Sequence, residues 1–185
     1  MTTPETIPHI PPPPTDLPSL LLQEQQLVLP TLTATTAWSL GTLLRTTLLP
    51  HPKPTVIHIS LVSHPPQTLF HCALPGTLPD NEIWVQRKAR TVRRFGHSTW
   101  YMHNKFEGNE GLFAKKNGLG EEAGNYAIHG GGWPVRVKGV EGVVGVIVVS
   151  GLAQSEDHGV IVKVLREYIE GLGEGQEEGE KRKED

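Results

Sequence analysis

Apolar and polar positions along the chain recur with two different periods, and the switches between them mark out the elements. In LPSLLLQEQQLVLP, Leu20, Leu21, Glu24 and Leu27 fall at helical spacing until Pro30 closes the segment. TATTAWSLGTLLRTTLLP predicts a second helix, because Ala37, Leu40, Leu43 and Leu44 keep the helical period despite the β-branched threonines. PTVIHISLV and QTLFHCALP are β-rich and separated by SHPPQ, so they read as an antiparallel hairpin. The helical period returns in NEIWVQRKARTVRRF, where Val85, Ala89 and Val92 form one stripe and Asp80 or Asn81 can cap. Gly96 interrupts this helix, and Ser98 caps a continuation, STWYMHNKF.

The glycine-rich run from Gly108 to Gly124 predicts a loop long enough to suspect function. WPVRV reads as a strand, VKGVEG as a turn, and GVVGVIVVS as a central strand buried on both faces. Ser155 or Asp157 then opens SEDHGVIVKVLREYIEGL, whose Val160, Ile161, Val164, Leu165, Tyr168, Ile169 and Leu172 make the cleanest helical stripe in the chain. Helices, hairpin, helices, strand pair and helix in that order predict an α+β domain: a central antiparallel sheet flanked by helices.

Composition changes this picture mainly at the ends. Seven of the sixteen prolines lie in the opening stretch MTTPETIPHIPPPPTDLP, so residues 1–16 predict a disordered or polyproline II arm, open to a proline-recognising protein partner. Residues 173–185 mix glycine with charge and predict a disordered tail, which leaves 17–172 as one domain. With 17 basic and 20 acidic residues the formal charge is -3, so any electrostatic partner must be recognised locally and nucleic acid is disfavoured. Cys72 is the single cysteine, which excludes an intrachain disulfide and fits a reducing, cytoplasmic setting. The best apolar run, GVVGVIVVSGL, is too short and too glycine-bounded to cross a membrane.

Two constellations carry candidate chemistry. In YAIHGGGWPVRV, Gly130, Gly131 and Gly132 can take positive φ and turn their N–H groups into an anion-binding concavity, with Pro134 fixing the entry to the strand. His129 beside them can donate to an anion or coordinate iron. The alternative is that the glycines let the backbone turn tightly under Trp133 while His129 hydrogen-bonds a carbonyl. The second constellation is Arg87, Lys88, Arg90, Arg93 and Arg94 on one helix, suited to carboxylate or phosphate, with Trp84 able to stack on a flat ligand. Its alternative is a solvated or ion-paired helix face.

Other candidates are weaker. His71 and Cys72 point to opposite faces of a strand, so Cys72 reads as core, and Asp157 beside His158 reads as a helix cap. Histidines 97, 103, 129 and 158 lack zinc-site spacing, and no C-x-x-C-H motif exists for covalent haem.

The run GGGWPVRVKGVEGVVGVIVVSGLAQSEDHGVIVKVLREYI resembles the C-terminal signature of the haem-degrading-domain superfamily, the HbpS and GlcG-like proteins. IWVQRKARTVRRFGHSTWYM with AIHGGGWPV is similar to its mostly uncharacterised branch, and together these cover most of Leu17 to Leu172. The resemblance implies a profilin-like α/β sandwich that forms dimers or larger homo-oligomers and, in some relatives, binds haem non-covalently. It places Trp84, Arg87, Lys88 and Ser98 at signature positions, and with Arg94, His129, the three glycines and Pro134 they form the candidate ligand-binding set. His129 is the best candidate for a haem-iron ligand. The chain departs from that pattern in its arms and in the His directly before three glycines.

Three functions follow as expectations. The first is a cytosolic, oligomeric small-molecule binder for haem or another anionic planar ligand. The second is a non-catalytic homo-oligomeric interaction module, an adaptor or a protein-trafficking or quality-control accessory factor. An enzyme using His129 as acid-base ranks last, since the sequence offers no paired carboxylate and no activated nucleophile.

Overall fold

The computed structural model describes residues 7–184, with side chains as far as Gly173. Helices α1 (Leu17–Gln26) and α2 (Ala34–Leu48) lead into strands β1 (Val56–Leu61) and β2 (Thr68–Ala73). Then come α3 (Pro79–Phe95), α4 (Thr99–Lys105), α5 (Glu110–Lys116), β3 (Gly132–Val135), β4 (Gly145–Ser150) and α6 (Gln154–Glu184). The sheet is antiparallel throughout in the order β2-β1-β4-β3, as an α+β sandwich requires.

Strand alternation divides the core into two layers. Ile57, Ile59, Ile147 and Val149 face one side and pack with Ala37, Leu40 and Leu44 of α2 and Val160, Ile161 and Leu165 of α6. Val56, Val146 and Val148 face the other and meet Val85, Ala89 and Val92 of α3. Every residue of β4 is buried, in keeping with its unbroken apolar run. A smaller cluster of Leu20, Trp100, Tyr101, Met102, Phe113 and Ile128 fills the space beside α3.

Local chemistry sets the boundaries. Asp16 Oδ1 accepts from Ser19 N at 2.9 Å, Thr33 Oγ1 from Thr36 N at 3.1 Å, and Ser98 Oγ from Tyr101 N at 3.1 Å, capping α1, α2 and α4. Gly96 ends α3 with φ 69°, which a glycine adopts without strain. Four expectations change. The cap of α3 is Leu78 rather than Asp80 or Asn81, because Pro79 takes the first helical position and Asn81 Oδ1 reaches back to Leu78 N at 2.8 Å. The glycine-rich stretch is not a loop but holds α5 and a 3₁₀ turn, Gly120–Asn125, because Asn109 caps α5 and Phe113 and Leu119 are buried.

The third change concerns the proline-rich arm, of which residues 1–6 lie outside the described residues. In place of a free arm, Ile10 packs against the main core and Pro14 O accepts from Trp100 Nε1 at 2.8 Å. Gly159 permits this approach: a Cβ there would sit 2.8 Å from Ile10 Cγ2 and from Pro11 O. At the other end, where composition predicts a disordered tail, the helical backbone of α6 carries on past Leu172 to Glu184.

Candidate ligand-binding site

Helix α3 presents Lys88 within its own apolar stripe, between Val85 and Ala89 on one side and Val92 on the next turn, and burial follows: Lys88 is 2% exposed. Its ammonium donates to Asp157 Oδ2 at 2.9 Å and to Val149 O at 3.1 Å. Asp157, in the first turn of α6 and also 2% exposed, accepts further from Leu152 N at 3.0 Å and Gly151 N at 3.4 Å. Burial raises the Asp157 pKa above the ordinary carboxylate value, opposed by Lys88 and by these amide donors. The pair ties α3 to the turn between β4 and α6.

The glycine motif exists because of this junction. Gly131 has φ 112°, and a Cβ there would collide with Val149 O and lie 2.7 Å from Asp157 Cβ and 2.8 Å from Lys88 Nζ. A Cβ at Gly130 would strike Gln154 O, and one at Gly132 would lie 2.8 Å from Thr99 Cγ2. Two of the three amides are already used: Gly130 N donates to Gln154 Oε1 at 3.3 Å and Gly132 N to Thr99 Oγ1 at 2.8 Å. The expectation of an open nest of glycine N–H groups is therefore corrected; the glycines let the chain thread between α3, α4 and α6.

Above the pair, Trp84 and His129 form a wall. Trp84 Nε1 donates to Asp80 Oδ2 at 3.1 Å, the His129 ring meets the indole edge-on at 4.9 Å, and the Arg87 guanidinium lies 4.4 Å from the indole centroid. Arg87 Nε also donates to Tyr126 O at 3.2 Å. His129 Nδ1 lies 3.2 Å from Glu110 Oε1, with the imidazole 41% exposed. Between this wall and the β4–α6 turn lies a pocket of about 370 Å³, lined by Trp84, Lys88, His129, Asp157, Ser150 and Gln154 among others.

The structure thus brings together Trp84, Lys88 and His129, with Arg87 behind the indole and Gly131 beneath the ammonium. It separates the rest. Pro134 is buried within β3, and Ser98 is a buried cap whose own N–H donates to Glu24 Oε1 at 2.7 Å. Arg94 donates to Tyr126 Oη at 3.1 Å and Asn117 O at 3.3 Å, away from the pocket. Sequence reasoning missed Asp157 and Gln154 as members of the site. A signal was present: Asp157, Val160, Ile161 and Val164 share one helical stripe, so a charge sits in a buried face just as Lys88 does.

His158 lies elsewhere, fully buried between Trp100 and Trp133, and burial lowers its pKa to about 3. Among the described residues no group of three or more His, Cys, Asp or Glu side chains could hold a metal ion, and no helix is long and apolar enough to cross a membrane.

Comparison with known proteins places this arrangement. The family model for the haem degrading protein HbpS-like family matches residues 32–166. A UPF0303 protein of Streptomyces avermitilis is 40% identical over 157 residues, spanning 85% of this chain and 92% of its own. A UPF0303 protein of Psychromonas ingrahamii is 39% identical over 158 residues, spanning 84% of this chain and 94% of its own. Among solved structures, that of Ybr137w protein is 32% identical with a TM-score of 0.76, covering 85% of this chain and 90% of that one. PduOC, solved in complex with heme, shares the fold at 17% identity and a TM-score of 0.60, covering 74% of this chain and 94% of that one. The chain belongs to the HbpS-like family.

Proposed function

We propose that the protein binds a small anionic ligand with a planar part in the pocket between α3 and the β4–α6 turn. The observation that carries this reading is the buried Lys88 ammonium on the pocket floor beneath an indole wall. An ammonium has three donors, and two are spent on Asp157 and Val149 O, which leaves one for a ligand acceptor. The Asp157 carboxylate accepts from two backbone amides as well as from Lys88, so the ammonium is not its sole partner. Trp84 supplies a flat apolar surface, and exposed His129 supplies a donor at the mouth.

A whole haem does not fit these residues. The volume is at the small end of ligand pockets, and of the ten lining residues only Trp84 and Leu152 are apolar, whereas a macrocycle needs a broad apolar cleft. The reading is tested by titrating benzoate and following indole fluorescence, with haemin as the comparator. The expected result is saturable quenching that Trp84→Leu removes and His129→Ala weakens. Quenching that persists in Trp84→Leu, or none in the parent chain, would defeat it.

A second reading concerns self-association. Trp38 is 66% exposed on α2 and Leu49 44% exposed beyond its end, and Trp38 meets Phe70 of edge strand β2 at 6.0 Å. An apolar face of this kind suits a second copy of the chain. Light scattering is expected to give a dimer or larger assembly, which Trp38→Glu dissociates; a monomeric parent chain at micromolar concentration would overturn it.

A further inference from the structure

Helix α3 carries another charged feature that its ion pairs do not absorb. Lys88 is paired with Asp157, Arg87 faces Glu110 at 3.9 Å, and Arg90 faces Glu122 at 3.4 Å. Arg93 is different. Its Nη2 donates to Ser60 Oγ at 3.0 Å, and among the described residues its buried Nε has no hydrogen-bond partner and the side chain makes no ion pair. Burial, aided by the like charge of Arg90, pulls its pKa below the ordinary value. A half-buried cation in this state lacks a counter-charge.

Arg93 also lines two hollows. One, of about 290 Å³, lies toward His58, Thr68 and Arg90; the other, of about 430 Å³, lies toward Arg94 and Arg136. Arg136 Nη2 donates to Gly96 O at 2.9 Å, which answers a carbonyl at the negative end of α3 and fixes that guanidinium beside the second hollow. Among the described residues no acidic side chain lines the second hollow, and the one acid lining the first, Glu82, lies 3.3 Å from His71 Nε2.

We propose that Arg93, with Arg136 beside it in the second hollow, is an oxyanion site for a small molecule bearing a phosphate or diphosphate, separate from the pocket under Trp84. Guanidinium groups present paired donors that match the oxygens of a phosphate. Arg93, Arg94 and Arg136 around one hollow call for more than a single negative charge, which a phosphate carries and a monocarboxylate does not.

The experiment is calorimetric titration of the full chain with pyrophosphate at low ionic strength, with acetate as comparator. Saturable pyrophosphate binding is expected, weakened about tenfold or more in Arg93→Gln and not restored in Arg93→Lys, whose ammonium cannot form the paired contact. Arg136→Gln, just past the end of β3, weakens binding as well and decides the matter if Arg93→Gln does not fold. Trp84→Leu leaves pyrophosphate binding unchanged, which keeps this site distinct from the pocket. The proposal is overturned by absence of saturable binding, by binding retained in folded Arg93→Gln or Arg136→Gln, or by binding lost in Trp84→Leu. Length-dependent oligonucleotide binding that pyrophosphate does not displace also overturns it.

Discussion

Replacing Lys88 by methionine keeps most of the side-chain volume and removes the ammonium, so it isolates the buried ion pair. Asp157 would retain its contacts to Gly151 and Leu152 amides but lose its counter-charge. With both partners 2% exposed, solvent cannot make good the loss, and breaking such a pair from one side costs about 3–5 kcal/mol. The sign with pH follows from Asp157, whose folded pKa is raised by burial. A raised pKa adds stability below the unfolded value and loses it as pH rises through the folded one. Lys88→Met should raise that pKa further, so its deficit is small in acid and grows toward neutral pH. Asp157→Asn should cost a similar amount, because it takes away the counter-charge and leaves the buried ammonium only neutral acceptors. Chemical denaturation of the parent, both single variants and the double variant gives the coupling, expected at about 2 kcal/mol or more. Additive losses, or a Lys88→Met deficit that does not change with pH, would refute the reasoning.

Gly131→Ala forces a Cβ against Val149 O at φ 112° and should destabilise by about 3 kcal/mol or more, as thermal unfolding would show. His129→Ala removes a partly exposed ring and should change stability by less than about 1 kcal/mol while weakening benzoate binding, separable by melting and fluorescence titration. His158, held neutral by burial with a pKa of about 3, makes the fold lose about 1.4 kcal/mol per pH unit from its ordinary pKa near 6.5 down toward 3, and His158→Gln should flatten that acid limb in circular dichroism. Deleting residues 1–15 should lower stability by about 1–3 kcal/mol and shift Trp100 emission to the red, since Ile10 leaves the core and the indole loses Pro14 O.

Periodicity carried most of the fold. The stripe of α3, the unbroken β4 run and the α6 stripe are local patterns, and each maps onto the layer that covers it. What escaped is what depends on distant partners. Phe113 and Leu119 bury against residues far along the chain, so glycine content alone mistook α5 for loop. Ile10 has one apolar side chain among prolines, and only the bare backbone at Gly159 makes room for it. In the site, His129, Trp84 and Lys88 were legible as residue types, but the partner of Lys88 lies 69 positions away. The three glycines pointed to a real constraint, close packing, that their sequence could not distinguish from an anion nest.

The most direct test is the Lys88 ammonium signal in nitrogen-15 NMR of lysine-labelled protein, which burial should protect from rapid exchange. Benzoate is expected to shift this resonance selectively, with the same midpoint as the quenching of Trp84. A Lys88 resonance that stays put while the fluorescence saturates would contradict a ligand held on the pocket floor.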